Sequence, residues 1–275
     1  MSNFTTDAQR HTEQRAMEQE LEWLLAERIP KVVSQAQNIL LGISLCLKPT
    51  GGKDSYIHLH DAKTGEDAGE VTVSGTSVSH LSLLLPASTP AAARRTTTRL
   101  KMDETLPLRQ AQEALNYIKA AAKKARLMPG LDSPETALNR VESILGDVKR
   151  ARQILAVGSQ QELMPLQADS TEKFAPALPD NLVIECKFRE GSIVVHLYFL
   201  KFRRGVKSSG GILDAFKKDS TAGHMLVHNG RLAEVKQELV FQASLSSMVS
   251  DLESLDRAAN LLIDVVGQLH AFDSM

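Results

Sequence analysis

The sharpest pattern in the chain lies near its carboxyl end, where Leu245, Met248, Leu252, Leu255, Ala259, Leu262, Val266 and Leu269 recur at spacings of three and four. Such spacing predicts a long helix with a narrow apolar seam. At about 1.5 Å per residue the seam runs ~36 Å and calls for a partner of similar length. The amino-terminal segment predicts one, because Leu21, Leu25, Ile29, Val32, Ala36, Ile39 and Ile43 repeat the same spacing, with Pro30 removing one backbone bond and bending the helix locally. Two more stripes follow in mid-chain. In the first, Leu108, Ala111, Leu115, Ile118, Ala122 and Ala125 lie between Pro107, tolerable in a first turn, and the stop signal Pro129-Gly130. In the second, Ser133 and Pro134 open a helix whose stripe is Leu138, Val141, Leu145, Val148 and Leu155, interrupted by Arg152.

Between and after these helices the period changes from 3.6 to 2. Ile57 and Leu59, Val71 and Val73, then Leu81, Leu83 and Leu85 alternate with polar neighbours between turn-forming residues. Leu182, Ile184, Cys186 and Phe188 alternate up to Glu190-Gly191, and Ile193, Val195, Leu197 and Phe199 alternate on the return, a hairpin pattern. Asn229-Gly230 suits a second hairpin with a type I′ turn, since both central residues then need positive φ. The whole reads as α+β. We expect an antiparallel heptad-type four-helix bundle from residues 12–45, 106–157 and 244–272, with the N- and C-terminal helices paired. A discontinuous antiparallel β-sheet domain follows from residues 46–105 and 174–243, and a polar linker from 158–173. The bundle seam is expected at Leu21, Leu25, Val32, Ala36, Ile39, Leu115, Leu145, Leu252, Leu255, Leu262 and Leu269.

Charge narrows the function classes. The 32 lysines and arginines balance 33 aspartates and glutamates, so the field that draws a protein onto nucleic acid is missing. The polar opening residues match neither a secretory nor an organelle-import signal, which places the expected location in the cytoplasm. No uninterrupted apolar run approaches the ~20 residues of a membrane-spanning helix, so any membrane association is expected to be peripheral. Cys46 and Cys186 stand far apart among apolar neighbours without zinc-ligand spacing, and both read as buried thiols.

Candidate chemistry is sparse. His58 and His60 share a strand face beside Asp61, a spacing found in metal sites, yet no third ligand is positioned by sequence. Ser208-Ser209-Gly210-Gly211 lacks the Gly-Lys-Ser/Thr that completes a phosphate loop, and no GxSxG or dinucleotide fingerprint is present. Glu185, Glu190, Glu234 and Glu238 read as carboxylates on exposed strand faces, and Trp23 as a packing residue of the first helix. These residues imply no catalytic group, no cofactor and no bound metal. Two basic stretches remain, one with Arg94, Arg95, Arg99 and Lys101, the other with Arg203, Arg204, Lys207, Lys217 and Lys218. From the second, Arg203, Arg204, Lys217 and Lys218 are the candidates for contact with an acidic partner face.

Two runs carry a family resemblance: Glu20-Leu21-Glu22-Trp23-Leu24-Leu25 opening the first helix, and Phe174-Ala175-Pro176-Ala177-Leu178-Pro179 before the long hairpin. With them the chain resembles the Rogdi leucine-zipper family, which includes the second subunit of the fungal RAVE complex. The resemblance implies an α domain joined to a β domain and a non-catalytic adaptor. It further implies a large WD40-containing partner of the RAVE or rabconnectin type, and a role with the peripheral sector of the vacuolar proton-transporting ATPase. It places the protein in the cytoplasm, recruited peripherally to vacuolar and endosomal membranes. Two alternatives stay open, a homo-oligomeric coiled-coil scaffold whose C-terminal heptads pair between chains, and a metal-dependent hydrolase using His58 and His60.

Overall fold

A computed structural model describes residues 3–48, 56–85, 98–102, 104–128, 133–157, 173–207, 225–228 and 231–273. The described residues form an α+β arrangement of four helices and one large, curled, half-barrel-like antiparallel sheet. Two compact units emerge, one of Met1–Cys46, Glu113–Arg152 and Ser250–Met275, the other of Leu47–Gln112 and Gln153–Val249.

The first unit is helical. Its amino-terminal helix is continuous, with α1 (Asn3–Trp23), a π-helical turn (Leu24–Arg28) and α2 (Ile29–Cys46). The π turn answers Pro30, which has no N–H to give and whose ring would crowd the carbonyl four residues back. The wide turn is closed instead by the Ile29 N–H, which bonds the Leu24 carbonyl five residues earlier. Burial follows suit, stepping five residues from Leu24 to Ile29 and then running through Val32, Val33, Ala36, Leu40 and Ile43. Leu21, Leu25 and Ile39 are only half-buried. The sequence spacing assumed an unbroken α-helix, and the extra residue moves the buried position from Leu25 to Leu24.

The remaining helices are α3 (Arg109–Arg126), α4 (Pro134–Val157) and α5 (Ser246–Asp273). Ser133 caps α4 through its hydroxyl, which accepts from the Thr136 N–H at 3.2 Å. Every stripe residue read for α3 is buried, and on α4 so are Val141, Leu145, Val148 and Leu155. On α5, Met248, Leu252, Leu255, Leu262 and Leu269 are buried, but Ala258 and Val265 take the places read for Ala259 and Val266. The expected antiparallel heptad-type four-helix bundle, with its N- and C-terminal helices paired, is not what these helices form. Among the described residues, no two separate helices run with their backbones close together over several residues, whereas neighbouring strands do. Residues 9–20 of α1 are exposed throughout, so no seam exists there. Side-chain bridges between helices include Arg28 to Asp264 at 3.2 Å, Lys124 to Asp147 at 2.6 Å and Arg152 to Asp256 at 2.9 Å. Heptad-like spacing tells which stripe a helix hides, not what hides it.

The second unit carries the ten-stranded sheet. Its strands are β1 (Ile57–Asp61), β2 (Asp67–Ser74), β3 (Ser77–Leu85), β4 (Thr98–Met102), β5 (Leu106–Pro107), β6 (Phe174–Ala175), β7 (Leu182–Arg189), β8 (Ser192–Lys207), β9 (Met225–His228) and β10 (Arg231–Ser244). The order is β6-β4-β3-β2-β1-β10-β8-β7, with β5 beside β3 and β9 beside β10. The two strand-rich stretches thus join into one sheet, through pairing of His60 with Gln242 and Asp61 with Phe241. Leu59, Leu81, Leu83, Phe188, Ile193, Val195, Leu197 and Phe241 are almost fully buried, as period-2 alternation requires of one sheet face.

Two glycines are structural necessities. Gly191 follows Glu190 in the β7–β8 turn, both at positive φ, and a Cβ there would meet Val249 Cγ2 at 2.6 Å. Gly69, at φ +143°, would put a Cβ 1.9 Å from the Ser82 carbonyl oxygen.

Candidate functional site

The densest polar constellation sits on strands β7, β8 and β10. Register sets Glu185 opposite His196, and Tyr198 between Val183 and Glu238. These five positions plus Lys187 alternate with the apolar residues that face the other way. The His196 Nδ1 and Glu238 Oε1 are 2.7 Å apart, and the imidazole stacks on the Tyr198 ring at 5.6 Å and 11°. Tyr198 donates its hydroxyl proton to Glu185 Oε2 at 3.0 Å, and Lys187 Nζ donates to the same oxygen at 3.4 Å. A patch of Val183, Leu200 and Ala233, flanked by Phe202 and Val235, packs against Tyr198.

The electrostatics follow from burial. Desolvation lowers the His196 pKa, outweighing the raising effect of its bond to Glu238, and the positive charge of Lys187 lowers it further. The imidazole is therefore neutral at pH 7, and its Nε2 is buried with no hydrogen-bond partner among the described residues. Burial, with Glu185 adding, pushes the Cys186 thiol up to about 12 and the Tyr198 phenol well above its usual range. A protonated thiol is a poor nucleophile, and the Glu185 carboxylate is already engaged by two donors. This cluster is arranged to hold hydrogen bonds and charge in place.

Beside it, Gln110 at the start of α3 acts as a clamp. Its Nε2 donates to the carbonyls of Ile154 and Phe188, and its Oε1 accepts from the Phe188 N–H at 2.7 Å. Gln110 is 2% exposed, so these bonds are made away from water. The one signal in the sequence is a polar residue wedged between Leu108 and Ala111 in an apolar stripe.

The residues read as functional from sequence are not gathered at one place. Val32, Ala36, Leu115, Leu145, Leu252, Leu255, Leu262 and Leu269 are buried along α2, α3, α4 and α5. The side chains of Arg203 and Arg204, and all of Lys217 and Lys218, lie outside the described residues, as do Arg94, Arg95, the Ser208–Gly211 run and the Asn229-Gly230 turn. Arg99 lies across β3, with its Nε donating to Ser82 Oγ at 2.8 Å. His58 and His60 are exposed on β1, and among the described residues no three histidines, cysteines, aspartates or glutamates gather as a metal site. Among them, too, no helix is long and apolar enough to cross a membrane.

Three readings need correction. Trp23 is half exposed rather than packed, since the π turn that follows buries Leu24. Cys46 is exposed at the end of α2. Glu185 is half-buried and doubly bonded rather than a free surface carboxylate.

Two comparisons bear on this arrangement. The family model described as Rogdi leucine zipper containing protein matches residues 20–262. A curated relative, "Protein rogdi homolog" from Homo sapiens, is 24% identical over 201 residues, which cover 68% of this chain and 68% of that protein.

Proposed function

Because this chain belongs to the Rogdi leucine zipper family, we propose that it works without catalysis, as an adaptor that promotes assembly or regulation of the vacuolar proton-transporting ATPase within a RAVE-like complex. Its partners in this reading are a large WD40-containing subunit of the RAVE or rabconnectin type and the peripheral sector of the pump. It acts in the cytoplasm, recruited peripherally to vacuolar and endosomal membranes. The carrying observation is the family match over residues 20–262, which spans the helices and the sheet together. The local chemistry supports it, because the main polar cluster keeps its thiol and phenol protonated and its carboxylate engaged. The scaffold alternative would need the apolar stripe of α5 to be free, whereas Met248, Leu255, Leu262 and Leu269 are buried within one chain.

The test is affinity purification of the full chain from its native cell, together with lumenal pH in a null cell. The reading expects the WD40 subunit and peripheral-sector subunits to come along, and lumenal pH to rise while the amounts of pump subunits stay unchanged. Reversing the charges of Arg203, Arg204, Lys217 and Lys218 should slow association and alter its salt dependence. Normal lumenal pH with normal recruitment of the peripheral sector would overturn it.

A further inference from the structure

Trp23, at the end of α1, stands on an exposed helix face. Its side chain is 50% exposed, since the π turn that follows puts Leu24 on the buried side. Glu20 lies three residues before it and Glu27 four residues after, and both are exposed. Residues three and four apart share a helix face, and in the wider π turn four residues still come to about one turn. The indole is therefore bracketed by two carboxylates, about 10 Å apart along the axis at ~1.5 Å per residue. From Ala16 to Glu27 the chain carries Glu18, Glu20, Glu22 and Glu27 and no lysine, arginine or histidine. The next cation, Arg28, is turned to Asp264 at 3.2 Å, and Glu18 accepts from Gln14. Glu20, Trp23 and Glu27 have no hydrogen-bond, ion-pair or ring partner among the described residues.

We propose that this face docks a basic helical segment of a partner protein, with an apolar residue seated on the Trp23 ring and lysine or arginine side chains paired to Glu20 and Glu27. Charge decides the class of occupant. Four carboxylates without a cation among them repel the phosphates of nucleic acid and of anionic lipid headgroups. A convex helix face encloses no small molecule, which needs a concave site. A bare metal ion or polyamine would leave the indole uncovered. A protein segment supplies both halves, and an exposed tryptophan is the kind of side chain on which interface energy concentrates. A helix presents basic, apolar and basic side chains at i, i+4 and i+7, over the same ~10 Å that separates Glu20 from Glu27. Arginine at either end also reaches the indole for cation–π contact. Only the existence of a partner is taken from the adaptor reading. Lumenal pH in the null cell tests that reading, peptide binding tests this one, and either can fail alone.

Trp23 is the one tryptophan of the chain, so its fluorescence in the full-length protein reports on this face alone. At low ionic strength caesium should quench it more strongly than iodide, because the carboxylates attract the cation. The probes are synthetic peptides of about 18 residues, long enough to hold a helix, with arginine, leucine and arginine at i, i+4 and i+7. A matched set carries citrulline for arginine, which keeps the shape and drops the charge. We expect the arginine peptides to bind, to shift Trp23 emission, to shield it from caesium, and to bind less tightly as salt rises. Citrulline should weaken binding about tenfold or more, and so should Glu20→Gln combined with Glu27→Gln, at unchanged circular dichroism. Trp23→Ala should weaken it as much, read by anisotropy of a labelled peptide. If a variant misfolds, the citrulline comparison still decides, since it uses the natural chain. Binding by none of the arginine peptides, equal binding of the two sets, or binding that leaves Trp23 emission unchanged overturns the proposal. So does a Trp23 already shielded from both quenchers in the dilute monomer, where the chain itself covers it. Shielding that grows with protein concentration overturns it as well, because a second copy is then the occupant.

Discussion

Replacing Asp251 by asparagine should stabilise the protein at neutral pH and do nothing in acid. Asp251 lies in the second turn of α5, 8% exposed, with no hydrogen-bond or ion-pair partner among the described residues. Burial alone raises its pKa from 3.8 to about 6. At about 1.4 kcal/mol per pH unit the rise is worth at most ~3 kcal/mol. Residual water contact at the carboxylate reduces that, so about 1–2 kcal/mol is expected. The positive field of the helix amino terminus opposes the rise but supplies only ~0.3–1 kcal/mol, so desolvation wins. A raised folded pKa means a contribution fully present below the unfolded value of 3.8 and lost as pH climbs through about 6. Asparagine keeps the shape and drops the charge. In urea unfolding followed by helical ellipticity, Asp251→Asn should gain about 1–2 kcal/mol over the natural chain at pH 7.5 and nothing at pH 4. That corresponds to several degrees in melting temperature at about 2–4 °C per kcal/mol. A difference that stays constant with pH, or a loss at pH 7.5, would refute the reasoning.

Three further outcomes can be checked. Gln110→Met leaves the buried N–H and C=O of Phe188 without their partner and should cost about 2–4 kcal/mol in the same unfolding assay; a change below ~0.5 kcal/mol would show that the clamp carries no weight. Gly69→Ala drives a Cβ to 1.9 Å from the Ser82 oxygen and should cost on the order of 3 kcal/mol or prevent soluble expression, so wild-type melting would contradict it. In the Asp251→Asn background, stability should fall as pH drops from 7.5 toward 5, because His196 and His228 have lowered folded pKa values and their contribution is lost on acidification. Adding His196→Asn should shrink that fall, and an unaltered pH profile would exclude His196 as a source.

The sequence told most where one residue type repeats at one period. The alternation of Leu182 to Phe188 and of Ile193 to Phe199 specified the β7–β8 hairpin, and Glu190-Gly191 its turn. The stripe from Leu108 to Ala125 named the buried side of α3. Pairing across long separations was beyond it, because nothing in the period of Ile57 to Asp61 says that this strand bonds Phe241 and Gln242. The same gap explains the failed bundle: an apolar stripe records burial and is silent about what lies opposite. The very short strands, Leu106–Pro107 and Phe174–Ala175, have no period to detect. The polar cluster stayed hidden because Glu185, His196, Tyr198 and Glu238 come from three strands and meet only through register. Gln110 was visible as an anomaly without a meaning.

The π turn at Leu24–Arg28 fixes the azimuth of everything before it. Each residue of an α-helix advances the chain by about 100°, so one residue absorbed in a widened turn holds Leu24 and Leu21 in line with the buried side of α2. Were Pro30 replaced by alanine and the turn to close as regular α-helix, the arm from Asn3 to Trp23 would swing by about that angle. Leu25 and Glu22 would then occupy that line. Deleting a single residue within the turn would leave the alignment as it is. The heading of this arm, exposed from residue 9 to residue 20, is thus set by one missing amide hydrogen.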